Sequence, residues 1–404
     1  MPERRALVVG LGVTGRAAAL ALATRGWTVR AADRNRSAEA GRLAEAGVEV
    51  LLGTEEADLL QDVDVVVKSP GVPGQAPPVA AARDRAIPVW SELELGWSLL
   101  PGNPLVGVTG TKGKTTTVRL LGTMFEAAGR DAVLAGNEHT PLSEVALTVE
   151  PGVWIVCEVS SFALEDVHAF SCEVAVLLNL EPDHLDRHAH FEAYRAAKLR
   201  IFERAGTKIV PRGSGLDGIE FGADDLLPAE PLLPGRHNRE NAAAAVAAAR
   251  AAGLEDEAIA GGLRTFAGAP HRLETVRELH GVRYVDDSKA TNVAAAVRAL
   301  ETYAAEPLHV ILGGSSKGED FTPLAAALGP NARSVHLIGD EAGRLAELVD
   351  GHMDETLDRA VEHASSLAEP GDVVLLSPAC ASYDQFRNFE DRGETFRRIV
   401  EALS

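Results

Sequence analysis

The residues best suited to chemistry lie in one short loop, Gly110-Thr111-Lys112-Gly113-Lys114-Thr115-Thr116, between a strand-like run and a helical pattern expected to begin around Thr117. Glycines let backbone N–H groups close around phosphate oxygens, Lys114 can neutralise the outer phosphates, and the Thr115 hydroxyl can ligate Mg²⁺. Val108 stands where the general phosphate-loop pattern has its first glycine, so the ATP-binding reading rests on context as well as on spacing.

Three further residues offer metal or amine chemistry. Glu158 closes the run VWIVC and supplies a hard oxygen ligand. His184, within Glu181-Pro-Asp-His-Leu-Asp-Arg-His188, is a second candidate, although imidazole is unusual for Mg²⁺. Lys198 shares a helical face with Phe191, Tyr194, Ile201 and Phe202. Its stem can snorkel to water along that face. Alternatively the amine is buried and neutral, and able to take up CO₂ as a carbamate whose oxygens suit Mg²⁺.

Near the start, Gly10-x-Gly12-x-x-Gly15 with Asp33 at the end of a second strand is a dinucleotide-type fingerprint. Arg34 beside Asp33 favours a phosphorylated ligand. A nicotinamide oxidoreductase is the remote alternative, since no later segment offers a hydride-transfer pair.

The elements that must position these groups are legible as near-continuous apolar runs: ALVVG, DVVVKS, LVGVTG, VWIVCEVS, VAVLLNL, VRYVDD, HVILGG, VHLIGD and DVVLLS. Such runs read as parallel strands buried on both faces, and the alanine-rich stretch from Asn241 to Ala252 reads as one of the intervening helices. Nearly every polar cluster follows the carboxyl end of a strand, where open parallel sheets bind ligands. One composite site fed by three domains accounts for this; three unrelated sites is the plainer alternative. The Pro101-Gly-Asn-Pro104 break and Gly268-Ala-Pro270 suggest where segments join. The expected fold is α/β in three domains: Rossmann-like, a central phosphate-loop ATPase-type sheet, and Rossmann-like again, over residues 1–92, 93–268 and 269–404.

The 404 residues are 46% hydrophobic and 24% charged, an ordinary globular mixture. A formal charge of −20 argues against nucleic-acid binding. No apolar run is long enough for a membrane span, and the N-terminus enters a strand with no room for a signal peptide. Three cysteines without metal-ligand spacing fit a reducing, cytoplasmic compartment.

Together these stretches resemble the Mur ligase superfamily from Gly10 to Phe396. Generic to it are Thr109-Gly-Thr-Lys-Gly-Lys-Thr-Thr116, the His184 region and Gly235-Arg-His-Asn-Arg-Glu-Asn241. More specific to the branch that adds D-glutamate to UDP-N-acetylmuramoyl-L-alanine are Asp287-Ser-Lys-Ala-Thr-Asn292, Gly313-Gly-Ser-Ser-Lys-Gly318 and Ser377-Pro-Ala-Cys-Ala-Ser-Tyr-Asp-Gln-Phe-Arg-Asn-Phe389. The resemblance implies an ATP-dependent, amide-forming ligase that uses Mg²⁺ at two sites and acts as a monomer. It implies that Gly12, Val13, Thr14, Asp33, Arg34, Ser69, Gly71 and Asn137 bind the UDP-linked substrate. Lys114 would contact the phosphates, Thr115 and Glu158 one Mg²⁺, and His184 with carbamylated Lys198 the second. Asn241 would reach the adenine, Arg272 the phosphates and Asp287 the ribose. Lys289, Thr291, Lys317, Ser382 and Phe389 would hold the incoming glutamate. Four features depart from the family pattern: Glu138-His139 in place of isoleucine-glycine, Ala163 in place of glutamine, Ser315 in place of aspartate, and a short stretch from Gly206 to Pro234. Another amino-acid-adding ligase of the superfamily, such as one acting on a folate, is the nearer alternative.

Overall fold

The computed structural model describes residues 4–404 except 37, 39, 40, 185, 186, 269, 316 and 317. The chain forms two compact units, Met1–Phe266 and Ala267–Ser404. The first unit carries two sheets and the second carries one. In the first sheet, β1 (Arg5–Val9), β2 (Thr28–Asp33), β3 (Glu49–Leu52), β4 (Val65–Lys68) and β5 (Val89–Ser91) run in the order β3-β2-β1-β4-β5. In the second, β6 (Leu105–Thr109), β7 (Ala132–Gly136), β8 (Trp154–Glu158), β9 (Cys172–Leu177), β10 (Ala205–Pro211) and β11 (Ile219–Phe221) run β11-β10-β9-β6-β8-β7. All pairings in these two sheets are parallel.

The second unit's sheet comprises β12 (Glu274–Leu279), β13 (Val282–Asp286), β14 (Leu308–Gly313), β15 (Ala332–Ile338), β16 (His352–Glu355) and β17 (Val373–Leu376). Its order is β12-β13-β17-β14-β15-β16, parallel except for the antiparallel β12–β13 pair at one edge.

Each apolar run is continuous because successive side chains enter different cores. Ala6 and Val8 of β1 pack on one face of the first sheet, Leu7 and Val9 on the other. Val106 and Val108 of β6 join the core under the phosphate-loop helix, while Leu105 joins the opposite one. Leu308, Val310 and Leu312 of β14 divide in the same way from Ile311.

The helix Glu92–Leu99 joins the first two sheets and is unusual in burying two carboxylates. Ser91 caps it, its Oγ accepting from the Glu94 amide at 3.2 Å. The Glu94 carboxylate accepts the backbone N–H groups of His168, Ala169 and Phe170 at 2.9, 2.9 and 3.0 Å. Glu92 accepts from the Ser143 amide at 2.7 Å. Lys68, fully buried at the end of β4, lies 3.3 Å from Asp166 and 3.4 Å from Glu165. Among the described residues, no helix is long and apolar enough to cross a membrane.

Candidate active site

The loop after β6 delivers Lys114 to the first turn of the helix Lys114–Ala127. This helix begins three residues earlier than the sequence pattern suggests, because Gly113 turns the chain at φ +84°. A Cβ at Gly113 would also stand 2.2 Å from Asn241 Oδ1. Asn241 therefore braces the loop from the helix Arg236–Ala251, a contact that sequence reasoning missed while assigning this residue to adenine. Lys114 Nζ donates to the carbonyls of Gly110 and Thr111, both at 3.0 Å. Thr111 is held by the Asn179 carbonyl and by Tyr194, whose hydroxyl lies 2.9 Å from its Oγ. Lys112 pairs with Glu181, and its amide donates to Asn179 Oδ1 at 2.9 Å. Thr116 follows Thr115 in the first turn. Helix N-terminal amides and a constrained glycine loop form a phosphate cradle.

Glu158 ends β8, beside β6, and is 2% exposed. Its Oε1 accepts from Asn137 Nδ2 at 3.4 Å, and the neighbouring Thr115 hydroxyl helps to lower the carboxyl's pKa. Its Oε2 has no hydrogen-bond partner and lies 3.9 Å from His139 Nε2. Burial raises the pKa of this carboxyl, opposed chiefly by the charge of Lys114. A buried carboxylate oxygen without a donor, beside a threonine hydroxyl at a phosphate loop, fits a hard cation such as Mg²⁺.

Lys198 resolves the alternatives left open by periodicity: it does not snorkel. It is 2% exposed, and its Nζ donates to the Gly110 carbonyl at 2.8 Å and to Thr109 Oγ at 3.4 Å. Its ammonium sits 4.8 Å from the Tyr194 ring centre. Burial first, then the charge of Lys114, bring its pKa down to about 7. A substantial neutral fraction then exists at neutral pH, unlike for a surface lysine.

His184 adopts a left-handed backbone at φ +53° and leaves its ring half exposed, 5.1 Å from Phe162. His188 is the buried histidine of this segment, 3.0 Å from Ser161 Oγ and stacked on Phe162. Phe162, Asn179 and Tyr194 shape the loop's surroundings without any motif to announce them.

In the first sheet, Gly10 turns at φ +88°, and a Cβ on Gly15 would strike the Gly10 carbonyl oxygen. Gly12, Val13 and Thr14 open the helix Val13–Thr24, whose first amides have no side-chain cap. That end suits an anion such as a diphosphate. Both Asp33 oxygens accept backbone amides, from Leu11 at 2.6 Å and Asn35 at 2.8 Å. Its observed work is thus shaping the loop. Arg34 is exposed, and Ser69 is buried against Gly10. Arg187 donates to the Gly71 carbonyl at 3.1 Å, tying the segment after β4 to the His184 region.

In the second unit, Asp287 is buried with its Oδ2 accepting from Ser377 Oγ at 2.8 Å and its Oδ1 from the Leu273 amide at 3.3 Å. Burial pushes its carboxyl up to about 7. Arg272 lies between two residues with positive φ, His271 and Leu273. Lys289 Nζ stands 4.9 Å from the Phe389 ring centre, Thr291 follows closely, and Ser382 is buried. Lys317 lies outside the described residues. No motif points to Arg392. It is fully buried, donating to Ser288 Oγ at 2.9 Å, the Ser288 carbonyl at 2.8 Å and the Cys380 carbonyl at 3.1 Å. One guanidinium thereby fixes the two loops that carry Lys289 and Ser382. Burial lowers its pKa to about 10, so it stays charged.

Three family models match this chain: a Mur ligase MurD-like N-terminal domain over residues 4–91, a Mur ligase middle domain over 108–214, and a Mur ligase glutamate ligase domain over 271–380. Curated UDP-N-acetylmuramoylalanine–D-glutamate ligases are similar over almost their whole length. That of Geobacillus kaustophilus is 39% identical, covering 99% of this chain and 98% of the relative. That of Pelotomaculum thermopropionicum is 40% identical with the same coverage, and that of Anaeromyxobacter dehalogenans is 41% identical over 98% and 97%. Among solved structures, the fold is shared with a Thermotoga maritima MurF ligase in complex with ADP (TM-score 0.58, 17% identity, 99% and 96% coverage). It is also shared with a UDP-N-acetylmuramate–alanine ligase of that organism (TM-score 0.56, 18% identity, 98% of each chain). Matched in all three of its segments, and along nearly its full length by relatives of this kind, the chain belongs to the Mur ligase family.

Proposed function

We infer that this protein is an ATP-dependent ligase that joins D-glutamate to UDP-N-acetylmuramoyl-L-alanine, a step of peptidoglycan precursor synthesis. The observation that carries this reading is its near-full-length similarity to ligases named for those substrates. The chemistry requires a leaving group. A carboxylate oxygen does not depart when an amine attacks, so the γ-phosphoryl group of ATP is first transferred to the alanyl carboxylate. The glutamate nitrogen then attacks the acyl carbon, the C–O bond breaks, inorganic phosphate leaves with the electron pair, and the nitrogen loses a proton.

The residues of the loop from Gly110 to Thr116 would hold the phosphates, with Lys114 offsetting charge as the phosphoryl group moves. Thr115 and Glu158 would hold one Mg²⁺, and His184 with Lys198 a second. Bound there, Mg²⁺ would supply positive charge against the transferring phosphoryl oxygens. Lys198 would serve as its carbamate: the neutral amine adds to CO₂ and releases one proton, turning a donor into a pair of acceptor oxygens. Its burial and lowered pKa support that reading. Asn241 would act at the nucleotide through its contact with the loop as well as at the base. Arg272 and Asp287 would act on the nucleotide. Lys289, Thr291, Lys317, Ser382 and Phe389 would hold glutamate, and Gly12, Val13, Thr14, Asp33, Arg34, Ser69, Gly71 and Asn137 the UDP-linked substrate. These roles fall to domains bounded near 92 and 268. All of them lie on one chain, so a monomer suffices. Three buried free cysteines fit a cytoplasmic setting.

A panel assay tests the assignment. Phosphate release from ATP should require both UDP-N-acetylmuramoyl-L-alanine and D-glutamate. Equal turnover with L-glutamate or another amino acid, or none with D-glutamate, would remove the substrate assignment while leaving a ligase.

A further inference from the structure

The second unit gathers histidines that carry none of the roles assigned above. Strand pairing places them. His309 of β14 is opposite Ser334 of β15, and His336 of β15 is opposite His352 of β16. The pairing skips one residue between Met353 and Glu355, and the residue at that irregularity, Asp354, joins the group. His363, on the helix Leu357–Leu367, closes over it. The ring centres of His336 and His363 are 5.0 Å apart, and those of His352 and His363 are 4.4 Å apart. Asp354 sits between two imidazoles, with His336 Nδ1 2.6 Å from Oδ2 and His363 Nδ1 2.9 Å from Oδ1.

Counting hydrogens along the buried chain shows that it calls for a cation. Four links run Asp354–His336–Ser334–His309–Asp372, at 2.6, 2.7, 2.7 and 3.0 Å. Both ends are carboxylates, which only accept. Neutral His336 and His309 each carry one N–H, and Ser334 carries one O–H. Three hydrogens cannot make four hydrogen bonds, so one link needs an added positive charge. A metal at the Asp354 end leaves the other three links a single consistent direction. His336 Nε2–H donates to Ser334, Ser334 donates to His309 Nδ1, and His309 Nε2–H donates to Asp372, itself 3.1 Å from Arg333. This tautomer turns the His336 Nδ1 lone pair towards Asp354, and outer hydrogen bonds of this kind orient imidazole ligands in metal sites. A proton would satisfy the count too, but it has no use for the additional imidazoles of His363 and His352. One ring nitrogen from each of His336 and His363 and an Asp354 oxygen lie within 4.8 Å of one another.

We propose that His336, Asp354 and His363 form a binding site for a borderline divalent transition-metal cation of the Zn²⁺ type, with His352 beside the remaining coordination position. Two imidazoles and a carboxylate suit Zn²⁺ rather than the harder Mg²⁺. The site would clamp β16, the outermost strand of its sheet, to the helix that covers it. It is independent of the ligase reading.

The test uses the full chain, stripped of metal and supplied with excess Mg²⁺ to mask hard-oxygen sites. Co²⁺ titration should give one equivalent of visible d–d absorption of tetrahedral type, displaced by Zn²⁺. His363→Gln, a half-exposed helix position, should weaken Co²⁺ binding by at least about tenfold and abolish any Zn²⁺-induced rise in Tm. In wild-type protein labelled with ¹⁵N-histidine, Zn²⁺ should shift the Nδ1 resonances of His336 and His363, a readout that needs no substitution. Absence of stoichiometric binding, equal binding by His363→Gln, or Zn²⁺ shifts confined to other histidines would overturn the proposal.

Discussion

At the scale of single residues, burial decides what two groups can do. Lys198 is surrounded by Thr109, Gly110 and Tyr194, and its pKa near 7 makes the amine available to CO₂. Lys198→Ala should lower turnover at least about a hundredfold, with partial rescue by acetate or formate. Because the neutral amine is the reactive form, activity should fall as pH drops below about 7 and recover in part with added bicarbonate. Wild-type rates in the variant would remove the carbamate from the account. Asp287 behaves in the opposite sense. Its folded pKa of about 7 lies above the ordinary carboxyl value of 3.8, so between these limits the folded state holds the extra proton. Stability therefore falls as pH rises through that window. Urea midpoints for wild type and Asp287→Asn at about pH 4 and about pH 8 should show the variant losing less stability over the interval. An equal loss in both proteins would contradict this.

At the scale of elements, the buried helix Glu92–Leu99 shows how charge is used to join sheets. Glu94→Ala would leave three backbone donors from residues 168–170 without their acceptor, and should cost about 3 kcal/mol or more in chemical denaturation. An effect below about 0.5 kcal/mol would mean that water replaces the carboxylate. The nine strands read from the sequence are legible because both faces of their sheets are covered, so that apolar residues dominate each run. The phosphate loop is legible because its glycines and lysine are contiguous. Helix starts are less so. The helix expected from Asn241 begins at Arg236, since its polar first turn is held by surface ion pairs of Arg236 with Asp224 and Arg239 with Glu230. Periodicity places Lys198 on an apolar face but cannot reveal that the Gly110 carbonyl receives its amine. Arg392 and Ser288 are 104 positions apart, and Asn241 meets Gly113 only through the packing of two helices. The histidine cluster is equally hidden, because strand register and the packing of one helix bring its members together.

At the scale of the whole molecule, three parallel-rich sheets present their carboxyl ends to the residues that carry the chemistry. The first places helix N-terminal amides after β1, the second a phosphate loop beside a buried carboxylate, and the third a set of loops pinned by Arg392. These parts make sense together if a carboxylate is activated before an amine attacks it. The most direct measurement follows the oxygen atom that activation must remove. UDP-N-acetylmuramoyl-L-alanine enriched with heavy oxygen in its alanyl carboxylate is turned over with ATP and D-glutamate, and the released phosphate is analysed by mass spectrometry. Transfer of one heavy oxygen to each inorganic phosphate is the result expected of an acyl phosphate. Unlabelled inorganic phosphate, with the displaced heavy oxygen found in AMP or in water, would contradict it.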